Sequence, residues 1–409
     1  MIMGVLAVVQ QSGDGEVIVS GKIQGSVKEG DAVYIVNRGD NTSTIFGMVS
    51  SVTGGEESAG SLAAIGIQNG AFYNMKPGTV IYTGSYSQEE IHDTYARALG
   101  DVYVGLQQLE LTDKDIERLS LSDLVEIWNL FLIWIQSGAG SAMDEIRREL
   151  YKQRQVVLVQ EICKKLMVEK EVYCVYSKAT RQPYMYSRTV RQEQRCMCTP
   201  PHIWLFTKSV FDFIIPTLSK DIYGVMPIKS GEDGTGIYRF LSDVIRLNGV
   251  NEVAIQSHHC CIPNWMLVPE LDDSEVQNQS MTNPDVVRWI LLMGQMESIN
   301  SEDEILSYNL YHDFMLKALK EAKLLIPVQY DNESVQGETQ VNIVSMSGKG
   351  ERRAVRLFTD WREFRMAFGE EWDGMAVSLA DMIGTYDCII NAGTNANAGC
   401  YIDQDMYES

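Results

Sequence analysis

Residues 13–36, GDGEVIVSGKIQGSVKEGDAVYIV, decide how the chain begins. Val17, Val19, Gly21 and Ile23 alternate with Ile18, Ser20, Lys22 and Gln24, the period of two that a half-buried strand requires. Gly13-Asp14-Gly15 ahead of this strand has the composition of a hairpin turn, since glycine accepts φ > 0 at little cost. Gly25 closes the strand, and Lys28-Glu29-Gly30-Asp31 turns the chain into the next apolar run, AVYIV. The rhythm continues with strands expected at 44–52, 62–67 and 79–82. Six short strands joined by tight turns predict a closed barrel over residues 1–86, which leaves no long free edge.

The rest of the 409-residue chain is too long for one further core, and two α+β units after the barrel fit its length. A hydrophobic share of 45% and a charged share of 22% are those of a soluble globular protein. The net charge of −21 argues against a general nucleic-acid coat, because phosphate is repelled except at a local basic patch. Charge divides as −3 over residues 1–86, −7 over 87–283 and −11 over 284–409. Only residues 147–195 run the other way, with twelve Lys and Arg against five Glu. The opening Met1-Ile-Met3-Gly4 lacks the basic region and long apolar stretch of a secretory signal, and LFLIWI at 130–135 is too short for a membrane span. Eight cysteines in such a chain read as reduced thiols, so a cytoplasmic protein is expected, with no membrane partner.

After Ser87 the spacing becomes helical. Ile91, Tyr95, Ala98 and Leu99 share a face; Leu124, Ile127, Trp128, Phe131 and Ile135 form a second stripe, ended by Gly138 to Gly140. A third helix is expected over 143–167 with Leu150, Val157, Val159, Ile162 and Leu166 inward. Strands at 172–176, 204–206 and 253–255 and helices at 210–218 and 237–247 complete the middle section. Residues 123–262 laid over 285–402 show four matched segments in the same order. Lys170–Val175 falls on Lys323–Val328, Leu205-Phe206-Thr207 on Leu357-Phe358-Thr359, and Glu252–Gln256 on Asp387–Asn391, which predicts an internal repeat of a mixed sheet with helices.

Residues 13–36, with AGSLAAIGIQNG (59–70) and MKPGTVI (75–81), resemble the second-domain β-barrel of elongation factor Tu and other translation GTPases. That resemblance implies a barrel beside partner-binding surfaces for tRNA, ribosome or protein. No G-x-x-x-x-G-K-[ST] loop occurs, so no GTP binding is expected. LLIPV (324–328), AVRLFTDWREFRMAF (354–368) and YDCIINAGTNANAGCYI (386–402) resemble the SseB (enhanced serine sensitivity) family of bacteria. The more divergent first copy keeps Thr207 but carries Gln256-Ser257-His258 in place of the Asn-Gly loop. The resemblance implies two SseB-like units, over 87–283 with its helical linker and over 284–409, and carries no catalytic residues across.

Candidate chemistry is sparse. Thr359-Asp360 is a natural helix start, where a hydroxyl or carboxylate accepts a free backbone N–H. Cys196-Met-Cys198 and Ser257-His258-His259-Cys260-Cys261 are the dense soft-ligand groups; zinc could join them if their strands met, and an enzyme centred on His258–Cys261 is one alternative. C-x-C within a strand puts both thiols on one face, where cysteine serves as a small buried hydrophobe. Gly231, Gly234 and Gly236 lack the preceding strand of a dinucleotide turn. Arg181, Arg188, Arg191 and Arg195, with Tyr184 and Tyr186, are the anion-contact candidates for an RNA or ribosome partner. A hairpin whose arginines pair with this chain's own acids is the plainer alternative. The sequence therefore leads us to expect a non-enzymatic binding or scaffolding protein with protein partners, no cofactor and no metal.

Overall fold

The structure is a computed structural model of the chain. It describes all residues except 12–14, 41–43, 55–59, 105–110, 137–141, 193–194, 258, 270–280, 297–298, 332–339, 392–397 and 409. The Gly13-Asp14 turn, the Gly138–Gly140 helix stop, His258 and the loop after Asn391 therefore lie outside the described residues. The chain divides into two compact units: Met1–Glu169 with Phe206–Thr217 and Ile255–Cys260, and Lys170–Leu205 with Leu218–Ala254 and Cys261–Ser409.

In the first unit, β1 (Ile2–Gln11), β2 (Val17–Gln24), β3 (Ala32–Val36), β4 (Ile45–Gly54), β5 (Ser61–Ile67) and β6 (Val80–Tyr82) close into a barrel ordered β1-β2-β5-β4-β3-β6. Strand alternation sends Val5, Val19, Val33, Val49, Ile65 and Ile81 inward as one core. Gly25, Gly30, Gly60 and Gly78 sit at φ between +86 and +90, as turn residues should. Gly21 serves differently. It lies within β2, and a Cβ there would come 2.1 Å from the carbonyl oxygen of Gly4 on β1, so the two strands can approach only without a side chain.

Four helices follow: α1 (Gln88–Tyr103), α2 (Asp113–Arg118), α3 (Leu121–Gln136) and α4 (Ala142–Val168). Ser87 caps α1, its hydroxyl accepting from Glu90 N at 3.1 Å while its N–H donates to the Glu90 carboxylate at 2.8 Å. The predicted stripes of α1 and α3 are buried except Ile135, which is half-buried. On α4 Tyr151, Leu158, Val159, Ile162 and Leu166 are buried and Leu150 is half-buried, whereas Val157, expected inward, is exposed. One residue from Leu158 is about 100° around the helix, which turns Val157 out of the stripe. α5 (Lys208–Ile214) also belongs to this unit.

A buried ion cluster ties the barrel to the helices. Lys76, before β6, donates to Asp40 Oδ1 and Asp123 Oδ2 at 2.5 Å each. Asp123, in the first turn of α3, also accepts from Tyr95 OH at 2.9 Å and from Ser120 N at 2.8 Å.

The second unit opens with β7 (Glu171–Ser177), β8 (Met185–Tyr186), β9 (Thr189–Gln192), β10 (Arg195–Cys198) and β11 (His202–Phe206). β12 (Tyr223–Lys229), α6 (Gly236–Arg246), β13 (Glu252–Ile255), β14 (Cys261–Pro263) and α7 (Asn264–Leu267) follow. The sheet order is β12-β7-β11-β13-β14, with β8 also on β11 and β9–β10 a separate antiparallel pair. Next come α8 (Pro284–Gly294), α9 (Glu302–Glu321), β15 (Lys323–Asp331), β16 (Gln340–Ile343), β17 (Ser345–Ser347) and β18 (Arg353–Leu357). α10 (Trp361–Ala367), β19 (Asp373–Ser378), α11 (Leu379–Ile383), β20 (Asp387–Ile390), β21 (Cys400–Ile402) and α12 (Gln404–Glu408) end the chain. Sheets β16-β15-β19 and β17-β18-β20-β21 are joined where Leu325 and Phe358 exchange backbone hydrogen bonds at 2.8 and 2.9 Å. Leu324, Ile326 and Val328 face α8 and α9, through Ile290 and Leu319, whereas Leu325 packs on the other side with Phe358 and Phe364. Among the described residues no helix is long and apolar enough to cross a membrane.

Candidate functional site

A cleft of about 730 Å³ opens in the second unit between the β8–β9 segment and helices α8 and α9. Tyr184, Tyr186, Tyr223 and Tyr311 line it, with Arg188, Arg191, Asp303 and Glu304. Its wall is held from behind by one amide. The buried Gln295 accepts from Met185 N at 3.1 Å and donates back to Met185 O, so a side chain completes the hydrogen bonding of β8. Tyr311 OH donates to Ser187 O at 3.1 Å, and Ser307 Oγ donates to Thr189 Oγ1 at 2.8 Å, pinning the strand to α9. Tyr184 meets Tyr223 edge to face at 4.8 Å. Burial pushes the phenols of Tyr184 and Tyr311 up, so both stay neutral donors.

The structure brings together two of the four candidate arginines. Arg188 and Arg191 line the cleft. Arg181 sits in the turn after β7 at φ +56, and Arg195 opens β10 opposite Gln192; neither lines it. Arg191 reaches Asp303 at 3.3 Å, with both side chains largely exposed. Arg191 thus pairs with an acid of its own chain, 112 positions away and out of reach of a local reading.

The threonine positions are structural. Asp360 caps α10, its Oδ1 accepting from Glu363 N at 3.0 Å. Thr359, fully buried, donates to Asp360 Oδ2 at 2.9 Å and accepts from Asn391 Nδ2 at 2.9 Å. Asn391, at φ +52, also accepts from Thr359 N at 3.0 Å, so the amide bridges the carboxyl ends of β18 and β20. In the first unit, Gln256 at φ +59 donates to Thr207 Oγ1 at 3.0 Å and to Ser122 Oγ at 2.6 Å.

Burial raises five thiols: Cys163 to about 11, Cys261, Cys388 and Cys400 to about 12, and Cys174 higher still. Burial also raises that of Cys198. Protonated thiols of this kind are poor nucleophiles. Cys196 and Cys198 share β10 as expected, but Cys196 is exposed because the two-stranded β9–β10 pair leaves that face uncovered. Of the His-Cys segment, Cys261 alone enters a cluster of potential ligands among the described residues, and its companions there are His202 and Glu252, which the sequence did not single out. The only local signal was Cys261 itself.

Residues 310–399 match the family model described as SseB protein N-terminal domain. The match spans α9 through β20 and thus contains Thr359, Asp360 and Asn391. No curated protein and no solved structure matches the chain.

Proposed function

We propose that this is a non-enzymatic binding protein of the bacterial cytoplasm, carrying a translation-factor-type barrel and two SseB-like units, and that a protein partner occupies the tyrosine-lined cleft. One observation carries the choice of partner: Asp303 and Glu304 stand across from Arg188 and Arg191. A rim of mixed sign around four tyrosines suits a peptide segment, since tyrosine combines large contact area with a polar tip. It does not suit a phosphate backbone, whose affinity depends on unopposed cations.

Two features support reading the sheets as copies. The order β12-β7-β11-β13-β14 has a parallel in β19-β15 and β18-β20-β21, which belong to two sheets bridged only at Leu325 and Phe358. Thr207 and Gln256 hold the places of Thr359 and Asn391, each amide at positive φ. The raised thiols support a binding role over a Cys-centred enzyme.

The test is capture from the native host by the wild-type chain and by Tyr186→Ala/Arg188→Glu, with tRNA and ribosome binding measured at low salt. The proposal expects one or more proteins lost from the variant and no affinity for RNA. Capture unchanged by the variant refutes the cleft; salt-sensitive RNA binding lost with Arg188 installs the RNA reading in its place.

A further inference from the structure

Three donors of different chemistry converge at one end of three neighbouring strands in the second unit. His202 opens β11, Glu252 opens β13 and Cys261 opens β14. One ligand atom from each lies within 4.8 Å of the other two. The antiparallel register explains the meeting of the last two. Cys261 pairs with Ala254, and Glu252 pairs with Pro263, so Glu252 and Cys261 are diagonal neighbours on one face of the hairpin. His202 is buried, while Glu252 and Cys261 are half-buried, so the cluster has a solvent side.

The geometry points to a binding site for a zinc-class divalent cation, held by His202, Glu252 and Cys261 with a fourth position open to water. The donor set selects the class. Thiolate and imidazole favour zinc and its neighbours, whereas magnesium and calcium take oxygen ligands almost exclusively. Ligand bonds of about 2.0–2.3 Å arranged tetrahedrally place donor atoms roughly 3.3–3.8 Å apart. The present atoms, all within 4.8 Å of one another, therefore stand at most about 1.5 Å from that spacing. On binding, the metal–sulfur bond replaces the S–H bond of Cys261 and the proton leaves to solvent; the imidazole donates a neutral lone pair.

The later sheet provides a comparison within the same unit. Asp387 opens β20 as Glu252 opens β13, and Tyr401 on β21 stands diagonal to it as Cys261 does to Glu252. There Tyr401 OH donates to Asp387, and Arg352 Nε donates to its other oxygen at 2.8 Å. A guanidinium and a phenol satisfy that carboxylate. At the matching place in the earlier sheet the Cys261 thiol hydrogen-bonds Glu252 and an imidazole stands beside them, so the groups that replace the phenol and guanidinium are metal donors.

The experiment uses full-length protein stripped with chelator and titrated with cobalt(II). The expected result is a thiolate-to-cobalt charge-transfer band saturating at one equivalent and bleached by zinc. The band should vanish in Cys261→Ser and survive Cys196→Ser/Cys198→Ser. Should Cys261→Ser fail to melt cooperatively, Glu252→Gln keeps the size of the side chain. It should lower zinc affinity by at least the roughly 10–100-fold that outer-shell changes cost. No band at excess cobalt, a band untouched by Cys261→Ser, or unchanged zinc affinity in Glu252→Gln would overturn the assignment.

Discussion

Replacing Lys76 with Met should destabilise the first unit by about 3 kcal/mol, the lower end of the cost of stranding a buried charge. Lys76 and Asp123 are buried, and Asp40 is nearly so. Methionine fills most of the lysine volume, so the loss is chiefly electrostatic. Asp123 retains Tyr95 OH and Ser120 N as donors, which is why the lower end applies. In the wild type, burial raises the Asp40 carboxyl and Lys76 partly offsets the rise. Without Lys76 it rises further. A group whose folded pKa is raised contributes stability at low pH and loses it as pH climbs through that value. The gap between variant and wild type should therefore narrow on acidification from neutral pH.

Urea titration followed by the fluorescence of Trp128 and Trp134, both on α3, reads this unit. Asp123→Asn in the Lys76→Met background should recover part of the loss, because it removes the stranded charge. A single variant within about 0.5 kcal/mol of wild type, or a gap that widens in acid, would refute the buried-triad account.

Thr359→Val leaves the Asn391 amide and the Asp360 carboxylate each one partner short, and should cost about 1–3 kcal/mol in thermal unfolding. Burial, then the charge of Asp123, raises Glu126 to about 7 from 4.5, so its contribution is present below about 4.5 and fades as pH rises through about 7; Glu126→Gln should flatten the stability profile across that window and raise the melting temperature at pH 8. Arg191→Ala should change stability by under about 1 kcal/mol, since its pairing with Asp303 is exposed. Calorimetry should detect no tight GTP binding, and submicromolar affinity would reveal a phosphate site that the sequence does not show.

The barrel was legible because its signals are local: alternation within five to ten residues, and glycines where the backbone must turn. The role of Gly21 was legible only in part, since its close approach to Gly4 is a property of the paired strands. Val157 was misplaced because a run of four apolar residues, 156–159, offers more than one stripe, and only the tertiary packing shows that Leu158 and Val159 face inward while Val156 and Val157 do not. The distribution of α5 and residues 255–260 into the first unit depends on long-range contacts with no sequence signature. The same is true of the cleft, whose walls come from residues 184–191, 222–223 and 292–311. Cys261 was considered with other companions, because strand order, and not proximity in sequence, brings His202 and Glu252 beside it.

These placements share a logic. In open α/β sheets, ligands usually sit beyond the carboxyl ends of parallel strands. β18 and β20 are parallel, and Asn391 and Thr359 lock their carboxyl ends together with buried, mutually satisfied hydrogen bonds. β11 and β13 run the same way, since His202 meets Glu252 at their amino ends and Thr207 meets Gln256 beyond their carboxyl ends. In both pairs the polar groups at the carboxyl ends are spent on holding the strands. The proposed partner cleft then lies beside β8 and the proposed metal site near the amino ends of β11 and β13, where Cys261 of β14 joins His202 and Glu252; in the later sheet Arg352 and Tyr401 of β21 stand near Asp387 instead. A threonine and an amide that hold the carboxyl ends of these strands favour presenting surfaces over turnover at that place, which is the physical argument behind the proposed binding role.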